Sequence, residues 1–538
     1  MELRWGSFSK FLSDRADSGG DRTAFAHFEG QWRALSFREV DQRAKAAAER
    51  LVRSGHQPGD RIAVLAATSL DLPVEIFGII LAGCVAVPLD PKLSPGELLA
   101  ILKHVEPRTL VVSEEFRPLG LELQQDAGIG KLLYLGERSL LPLPAYEPRE
   151  RGVDEPVVIY YTSGTFGQAK GVMVSARAIL AEVSMLTSLR ENGPDDVMFS
   201  ILPLNHLYGF TAGVMYAMGC GAEYVFAHSL SPQDIGRCLR ERRVTQMNVV
   251  PLLLNLMRRG IQAKLQQQPR AKRLLVRFFF KLAPLLPVGL RRRLFRPIHE
   301  KLGGALRRSV SGAAPLDPAT FAFFHAIGAP IYEGYALTET GPVLTVNRTR
   351  RVKKGSAGIP LPGIELRIEA APGEKVGEIL TRGPHLMQGY YRDPELTREK
   401  IDQDGWFHTG DLGYFDGPFL RITGRRKSLV VLASGKKVHA EEVEQALARS
   451  HHFQDACVLG LPQDDQGELL TAIVHPTEEF LAVPDLQKAA EREVAEACRG
   501  LAAFKRPGRV IVRRTPFAKT SSGKVKRHVA RDEVLSGL

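Results

Sequence analysis

The sequence predicts an α/β protein: a large N-terminal domain of mostly parallel βα sheets with a β-rich subdomain, then a small α+β C-terminal domain. Three observations carry that prediction. The first third alternates apolar strand-like runs with amphipathic helical ones, the pattern of βαβ units. From about residue 353 glycine-rich short strands take over. After "RITGRRKS" (421–428) a shorter helix-and-strand unit closes the chain.

The elements follow in order. "RIAVLAA" (61–67) reads as a buried strand, "LPVEIFGIILAG" (72–83) as a helix and "CVAVPLD" (84–90) as a second strand. "SPGELLAILKHV" (94–105) opens with a capping box from Ser94 to Glu97, and "RTLVVSE" (108–114) completes the unit as a strand. The same texture returns at "DVMFSILPL" (196–204), "GAEYVFA" (221–227) and "TQMNVVP" (245–251). "AGIPLPGIELRIEAAPGEKVGEILTRGP" (357–384) reads as short strands joined by tight turns. In the last part "HAEEVEQALARS" (439–450) is a helix, "DACVLGLP" (455–462) and "LLTAIVHP" (469–476) are strands, and a basic tail follows. The boundary is placed at 424, giving domains 1–424 and 425–538.

Composition narrows the class. A 44% hydrophobic and 25% charged fraction belongs to a soluble globular protein. The N-terminus has acids and no apolar core segment, so it is not read as a secretory signal. The longest apolar run, 76–89, is too short to span a bilayer. Cys84, Cys220, Cys238, Cys457 and Cys498 show no CxxC spacing, which argues against a disulfide framework or zinc site and fits a reducing cytoplasm. Residues 258–308 hold 15 Lys/Arg against one acid, Glu300, so the excess of +12 lies in this segment and the rest is near neutral. A general nucleic-acid reading is therefore disfavoured.

One loop asks for an anion. In "TSGTFGQAKG" (162–171) Gly164, Gly167 and Gly171 let backbone N–H groups turn inward, Thr162, Ser163 and Thr165 add hydroxyls, and Lys170 adds a mobile charge. Such a set suits a polyphosphate, although a ten-residue stretch of this kind is also an ordinary polar turn. It is not a Walker A loop, because Ala169 precedes Lys170 and Gly171 follows it. Lys524 fails the same test, with Val525 after it.

Four further stretches follow in order: "YEGYALTET" (332–340), "GWFHTGDLG" (405–413), "GRRKSLVV" (424–431) and "TSSGKVKR" (520–527). With the loop, they resemble the adenylate-forming superfamily of acyl-CoA synthetases, nonribosomal-peptide adenylation domains and firefly luciferase. The resemblance runs from "LSFREVDQRA" (35–44) to the last lysines. It implies ATP-dependent formation of an acyl-AMP with release of pyrophosphate, then transfer to a thiol. It also implies a mobile C-terminal domain that turns about a hinge at Lys427.

Site residues follow from the same resemblance. Thr162, Ser163, Gly164, Thr165, Gly167 and Lys170 would grip the β- and γ-phosphates; Phe166 and Ala169 depart from the usual Thr and Pro. Glu339 would hold Mg2+ together with Thr165, and Thr338 would donate to the α-phosphate. Tyr335 would lie against the adenine, with the backbone of Gly312, Ala313 and Ala314 on its other side; Ala336 replaces a common glycine. Asp411 would accept both ribose hydroxyls, with Arg425 as a second contact. Lys524 would bridge the carboxylate and the α-phosphate. His206 would close the carboxylate pocket, and Ser434 and Gly435 would leave room for the pantetheine of CoA or of a carrier protein.

The acid is read as a medium- or long-chain fatty acid. Amino-acid adenylation domains place an Asp just after the His206 position, and Leu207 stands there. The following "HLYGFTAGVMYAMG" (206–219) is apolar and small, as an acyl tunnel requires. The segment 258–308 has two readings: a helix pair packed on the large domain with basic faces in water, or a peripheral contact with the inner membrane in which Phe278 to Phe280 dip below anionic headgroups. In the second, charge reversal at Arg291 to Arg293 weakens vesicle binding. The acceptor thiol belongs to CoA or to an acyl carrier protein, or an amine takes the acyl group. A nucleotide- or membrane-binding scaffold without catalysis is the remote alternative.

Overall fold

The structure, a computed structural model, describes residues 4–137, 146–163, 169–229, 231–432, 436–462, 468–520 and 525–536. The chain forms two compact units: residues 1–162, 169–365 and 381–407, and residues 163–168, 366–380 and 408–538.

The first unit contains a seven-stranded sheet in the order Gly389–Tyr390, Ala169–Ser175, Pro156–Ser163, Val85–Pro88, Arg61–Leu65, Thr109–Val112, Lys131–Tyr134. Its centre is parallel: Ile62 faces Ala86 on one side and Thr109 on the other. Strands covered by helices on both faces need consecutive apolar residues, and Ile62 to Leu65 supply them. The helix Asp71–Leu81 is correspondingly buried from Leu72 onward. The predicted capping box forms: Glu97 N donates to Ser94 Oγ (3.3 Å) and Ser94 N to Glu97 Oε2 (2.9 Å). At the sheet edge, Gly389–Tyr390 pairs antiparallel with Val172–Met173.

A nine-stranded sheet holds the other predicted strands in the order Ile359–Pro360, Thr345–Val346, Ile331–Tyr335, Arg308–Ser311, Gln246–Val249, Val197–Ser200, Glu223–Phe226, Thr23–Glu29, Gln31–Ser36. Ile331–Tyr335, Arg308–Ser311, Gln246–Val249 and Val197–Ser200 run parallel. The segments that follow them, among them the His206 turn, Gly312–Ala314 and Ala336–Glu339, therefore leave from the same end of the sheet. That shared direction brings these candidate residues to one end of the sheet.

The second unit contains a four-stranded sheet (Glu365–Glu369, Gly377–Arg382, Phe407–Asp416, Phe419–Arg425), a short ribbon (Leu429–Val431, Lys437–His439) and a three-stranded sheet (Phe453–Pro462, Glu468–Pro476, Arg509–Val512). Val443, Leu447, Val458, Val474, Phe480 and Val494 share its core.

The basic segment departs from the expected helix pair. Prolines at 269, 284, 287 and 297 divide it into helices Pro251–Gln266, Arg270–Leu282, Val288–Leu294 and Arg296–Lys301, with a 3-10 turn Ala283–Leu285. Phe278 to Phe280 do not act together. Phe280 lies against Phe295 (4.8 Å) and Phe323 (5.4 Å), Phe279 packs on the same core, and Phe278 alone is exposed. Nor are Arg291 and Arg292 surface charges. Arg291 donates to the carbonyls of Leu286 (2.7 Å) and His325 (3.0 Å), and Arg292 to that of Leu306 (2.6 Å). Reversing their charge would unseat backbone, so it does not test a membrane contact.

Candidate active site

Two adjacent strands of the first unit, Pro156–Ser163 and Ala169–Ser175, flank the anion loop in the sequence. Thr162 and Lys170 sit half-buried at the strand ends. Gly164, Thr165 and Gly167, and the side chain of Ser163, lie outside the described residues. Gly171 corrects the sequence reading. It belongs to the strand rather than to the loop, and a Cβ there would come within 3.0 Å of Ile159 and 3.2 Å of the Tyr161 ring. Its smallness serves close packing, not a turn.

The strand Ile331–Tyr335 leads into a 3-10 turn, Thr338–Thr340, which presents Thr338 and Glu339. Two bonds fix Glu339. Met387 N donates to its carbonyl (2.9 Å), and the Tyr390 hydroxyl donates to its Oε1 (3.0 Å). The Lys170 ammonium lies 5.6 Å from the centre of the same Tyr390 ring. A single buried phenol thus joins the loop lysine to the glutamate. Burial, and then the neighbouring Glu339 charge, push the Tyr390 hydroxyl above its ordinary range, so it stays a neutral donor. Among the described residues Glu339 Oε2 has no hydrogen bond, which leaves an oxygen for a cation; this carboxylate and the lysine fit a metal–triphosphate.

The sheet end also carries the other candidates. Tyr335 is buried, and its carbonyl accepts from Leu344 N (2.8 Å). Gly312, Ala313 and Ala314 follow Ser311; Ala313 takes a left-handed φ of 70°. A Cβ on Gly312 would lie 3.5 Å from the Tyr208 ring, so the His206 turn and the Gly312 turn face each other. His206 is half-buried, its N–H donating to Pro203 O (3.2 Å). Leu207 is buried and starts a π-helix, Tyr208–Met215. The small residues of this turn have packing roles of their own: a Cβ on Gly213 would come 2.6 Å from the Tyr224 hydroxyl.

In the second unit the "HTGD" stretch explains itself residue by residue. Thr409 Oγ1 donates to Ile379 O (2.7 Å) and accepts from Asp411 N (3.0 Å). Gly410 has a φ of 73°, which a side chain would oppose, and its N–H donates to Glu378 Oε1 (2.9 Å). Asp411 is thereby buried, and Arg425 Nε, its cross-strand neighbour, donates to Oδ1 (3.0 Å). Glu369, Glu378 and His408 cluster nearby, with Arg426 donating to Glu378 Oε2 (3.1 Å). Lys427 is exposed in the following 3-10 turn. Lys519 and Val525 bridge antiparallel; Lys524, Ser434 and Gly435 lie outside the described residues.

Tyr390 and Glu378 escaped the sequence reading. "MQGYYRDPEL" (387–396) carries a tyrosine pair between turn residues, which was the available signal for the first.

The AMP-binding enzyme family model matches residues 12–391, and the model for the C-terminal domain of AMP-binding enzymes matches 442–524. The chain belongs to this adenylate-forming family. Within it the chain is an AMP-forming acid–thiol ligase of the acyl-CoA synthetase type. It is 25% identical to a long-chain-fatty-acid–CoA ligase of Bacillus subtilis, over 98% of this chain and 94% of that one. It is 27% identical to a chloroplastic long-chain-fatty-acid–[acyl-carrier-protein] ligase of Arabidopsis thaliana, over 88% and 77%. ATP-bound MatB from Rhodopseudomonas palustris superimposes with a TM-score of 0.79, 27% identity and 98% coverage of both chains. No helix among the described residues is long and apolar enough to cross a membrane.

Proposed function

We propose that the protein activates a medium- or long-chain fatty acid as acyl-AMP and then passes the acyl group to the thiol of CoA. The observation that carries this reading is the cluster in which Tyr390 joins Lys170 to Glu339. A carboxylate and a triphosphate repel each other, so cations and donors have to be in place before they meet. Lys170 and the hydroxyls of Thr162, Ser163 and Thr165, with the backbone of Gly164 and Gly167, hold the β- and γ-phosphates. Thr338 donates to the α-phosphate. Glu339 and Thr165 hold Mg2+, which when bound spreads the charge of the phosphate oxygens. Tyr335 and the Gly312–Ala314 backbone flank the adenine, and Asp411 and Arg425 take the ribose.

The fatty-acid carboxylate oxygen attacks the α-phosphorus, and the bond to pyrophosphate breaks. Lys524 neutralises charge where acid and nucleotide meet, and His206 closes the pocket behind the carboxylate. The C-terminal domain, 425–538, then turns about Lys427. The thiol, admitted past Ser434 and Gly435, attacks the acyl carbon, and AMP leaves. Leu207 favours an uncharged acyl group, because a buried leucine offers nothing to an α-ammonium. The similarity to an acyl-carrier-protein ligase favours a second acceptor, the phosphopantetheine of a carrier protein.

Acid-dependent exchange between pyrophosphate and ATP tests the adenylation. Lys524→Ala is expected to slow it by about 10²–10³-fold while leaving thioester formation from supplied acyl-AMP intact. Exchange at full rate in that variant contradicts the assignment. A panel of acids from short to long, scored by AMP release with CoA or a carrier protein present, fixes chain length and acceptor.

A further inference from the structure

We infer that the helix Arg270–Leu282 and the turn after it form a docking surface for an anionic lipid bilayer. The inference stands apart from the ligase reading and rests on a helix with two apolar faces.

At 3.6 residues per turn, Phe279 and Phe280 point one way and Leu274, Leu275 and Phe278 another. The first pair fills the core shared by Phe295, Phe323 and Phe324. That is the side an amphipathic helix spends on its own protein. The second set stays in solvent: Leu274 is 65% exposed, Leu275 51% and Phe278 58%. Leu285, just past the helix, is 81% exposed. Leaving three large apolar side chains and a neighbouring leucine in water is unfavourable unless another surface covers them.

The charge around this face identifies the cover. Four basic residues elsewhere in the segment are ion-paired: Arg258 with Asp317, Arg296 with Glu300, Arg307 with Asp196 and Arg308 with Glu191. Arg291 and Arg292 hold backbone carbonyls. Of the rest, Arg259, Lys264, Arg293 and Lys301 are spread over three helices, whereas five lie together on Arg270–Leu282. Arg270, Arg273, Arg277 and Lys281 are all exposed, make no ion pair among the described residues, and line one border of the Leu274–Phe278 face. Lys272 adds a fifth charge, and no acid occurs between Arg270 and Glu300. Leucine and phenylalanine flanked by unmatched arginine and lysine is the composition of a helix lying in the headgroup region, its apolar side chains a few ångströms below the phosphates.

The test uses the full chain and two kinds of vesicle, phosphatidylcholine alone and phosphatidylcholine with about one third phosphatidylglycerol. Sedimentation is expected with the second kind only, and to fall as salt rises. Two triple variants separate the contributions. Arg270→Glu/Arg273→Glu/Arg277→Glu should lower partition by about a hundredfold, and Leu274→Ser/Leu275→Ser/Phe278→Ser by at least tenfold. AMP release from a water-soluble acid reports that both variants fold. As a milder probe, the tryptophan of Phe278→Trp should be quenched by brominated lipid. Failure of the unmodified chain to bind anionic vesicles, binding unchanged in both triple variants, or no quenching would each overturn the proposal. So would protection of this face by an acidic carrier protein with no vesicle binding, which would make it a protein-docking surface.

Discussion

The two candidate acids, one in each unit, are held in opposite ways. Glu339 receives the hydroxyl of Tyr390, a buried neutral donor that fixes the carboxylate without cancelling its charge. Asp411 receives the guanidinium of Arg425, a cation on the adjoining strand. The difference matches the tasks proposed for them. A divalent cation is drawn by net negative charge, so a cationic partner on Glu339 would compete with it. Ribose hydroxyls call for acceptor lone pairs rather than for net charge, so a cationic neighbour such as Arg425 does not oppose that task.

Substitution of the acids themselves gives the largest contrast. Glu339→Gln should lower the adenylation rate by about 10²–10³-fold and raise the Mg2+ concentration needed for half-maximal rate. Asp411→Asn keeps one acceptor oxygen, so its main effect should be a higher KM for ATP at little-changed Mg2+ requirement. Equal Mg2+ dependence in the two variants would erase the distinction.

Tyr390→Phe removes only the anchoring hydroxyl. Loss of one hydrogen bond to a charged group predicts about a tenfold rise in the Mg2+ concentration needed for half-maximal rate, with the Lys170 contact to the ring retained. A metal titration of the exchange rate in this variant reads the effect.

The smallest effect on activity is expected at His385, two residues before the Met387 whose N–H bonds the Glu339 carbonyl, and its readout is stability. His385 is buried, bonded through Nε2 to Thr381 Oγ1 (3.1 Å), and burial lowers its pKa to about 3. Below pH 6.5 the unfolded chain binds a proton that the folded chain refuses, so stability is full above that pH and falls as pH drops towards 3. At pH 5 the loss from this group is about 2 kcal/mol. Denaturant unfolding at pH 7 and pH 5 should show it, and His385→Gln should flatten the difference.

Much of this was legible in the sequence because it is local. The strands at 61–67, 196–204 and 245–251 announce themselves by uninterrupted apolar runs, and Ser94 and Glu97 by their spacing. What was not legible depends on residues distant in the chain. Tyr390 matters because it pairs with Val172, far earlier in the chain, on the edge strand that brings the phenol to Glu339. Gly171 reads as a loop glycine until Ile159 and Tyr161 are seen against it. Arg291 and Phe280 read as surface groups because composition cannot tell which face of a helix is already occupied. A helical wheel of 270–282 alone shows two apolar faces; only the packing of Phe280 on Phe323 says which one is spare.

The most direct test of the chemistry follows oxygen. A fatty acid labelled with oxygen-18 in its carboxylate is incubated with ATP, Mg2+ and CoA, and the nucleotide product is weighed. Attack of the carboxylate on the α-phosphorus, followed by thiol displacement, leaves one labelled oxygen on AMP. Unlabelled AMP, or ADP with label in inorganic phosphate, would show that the acyl group never passed through a mixed anhydride with AMP.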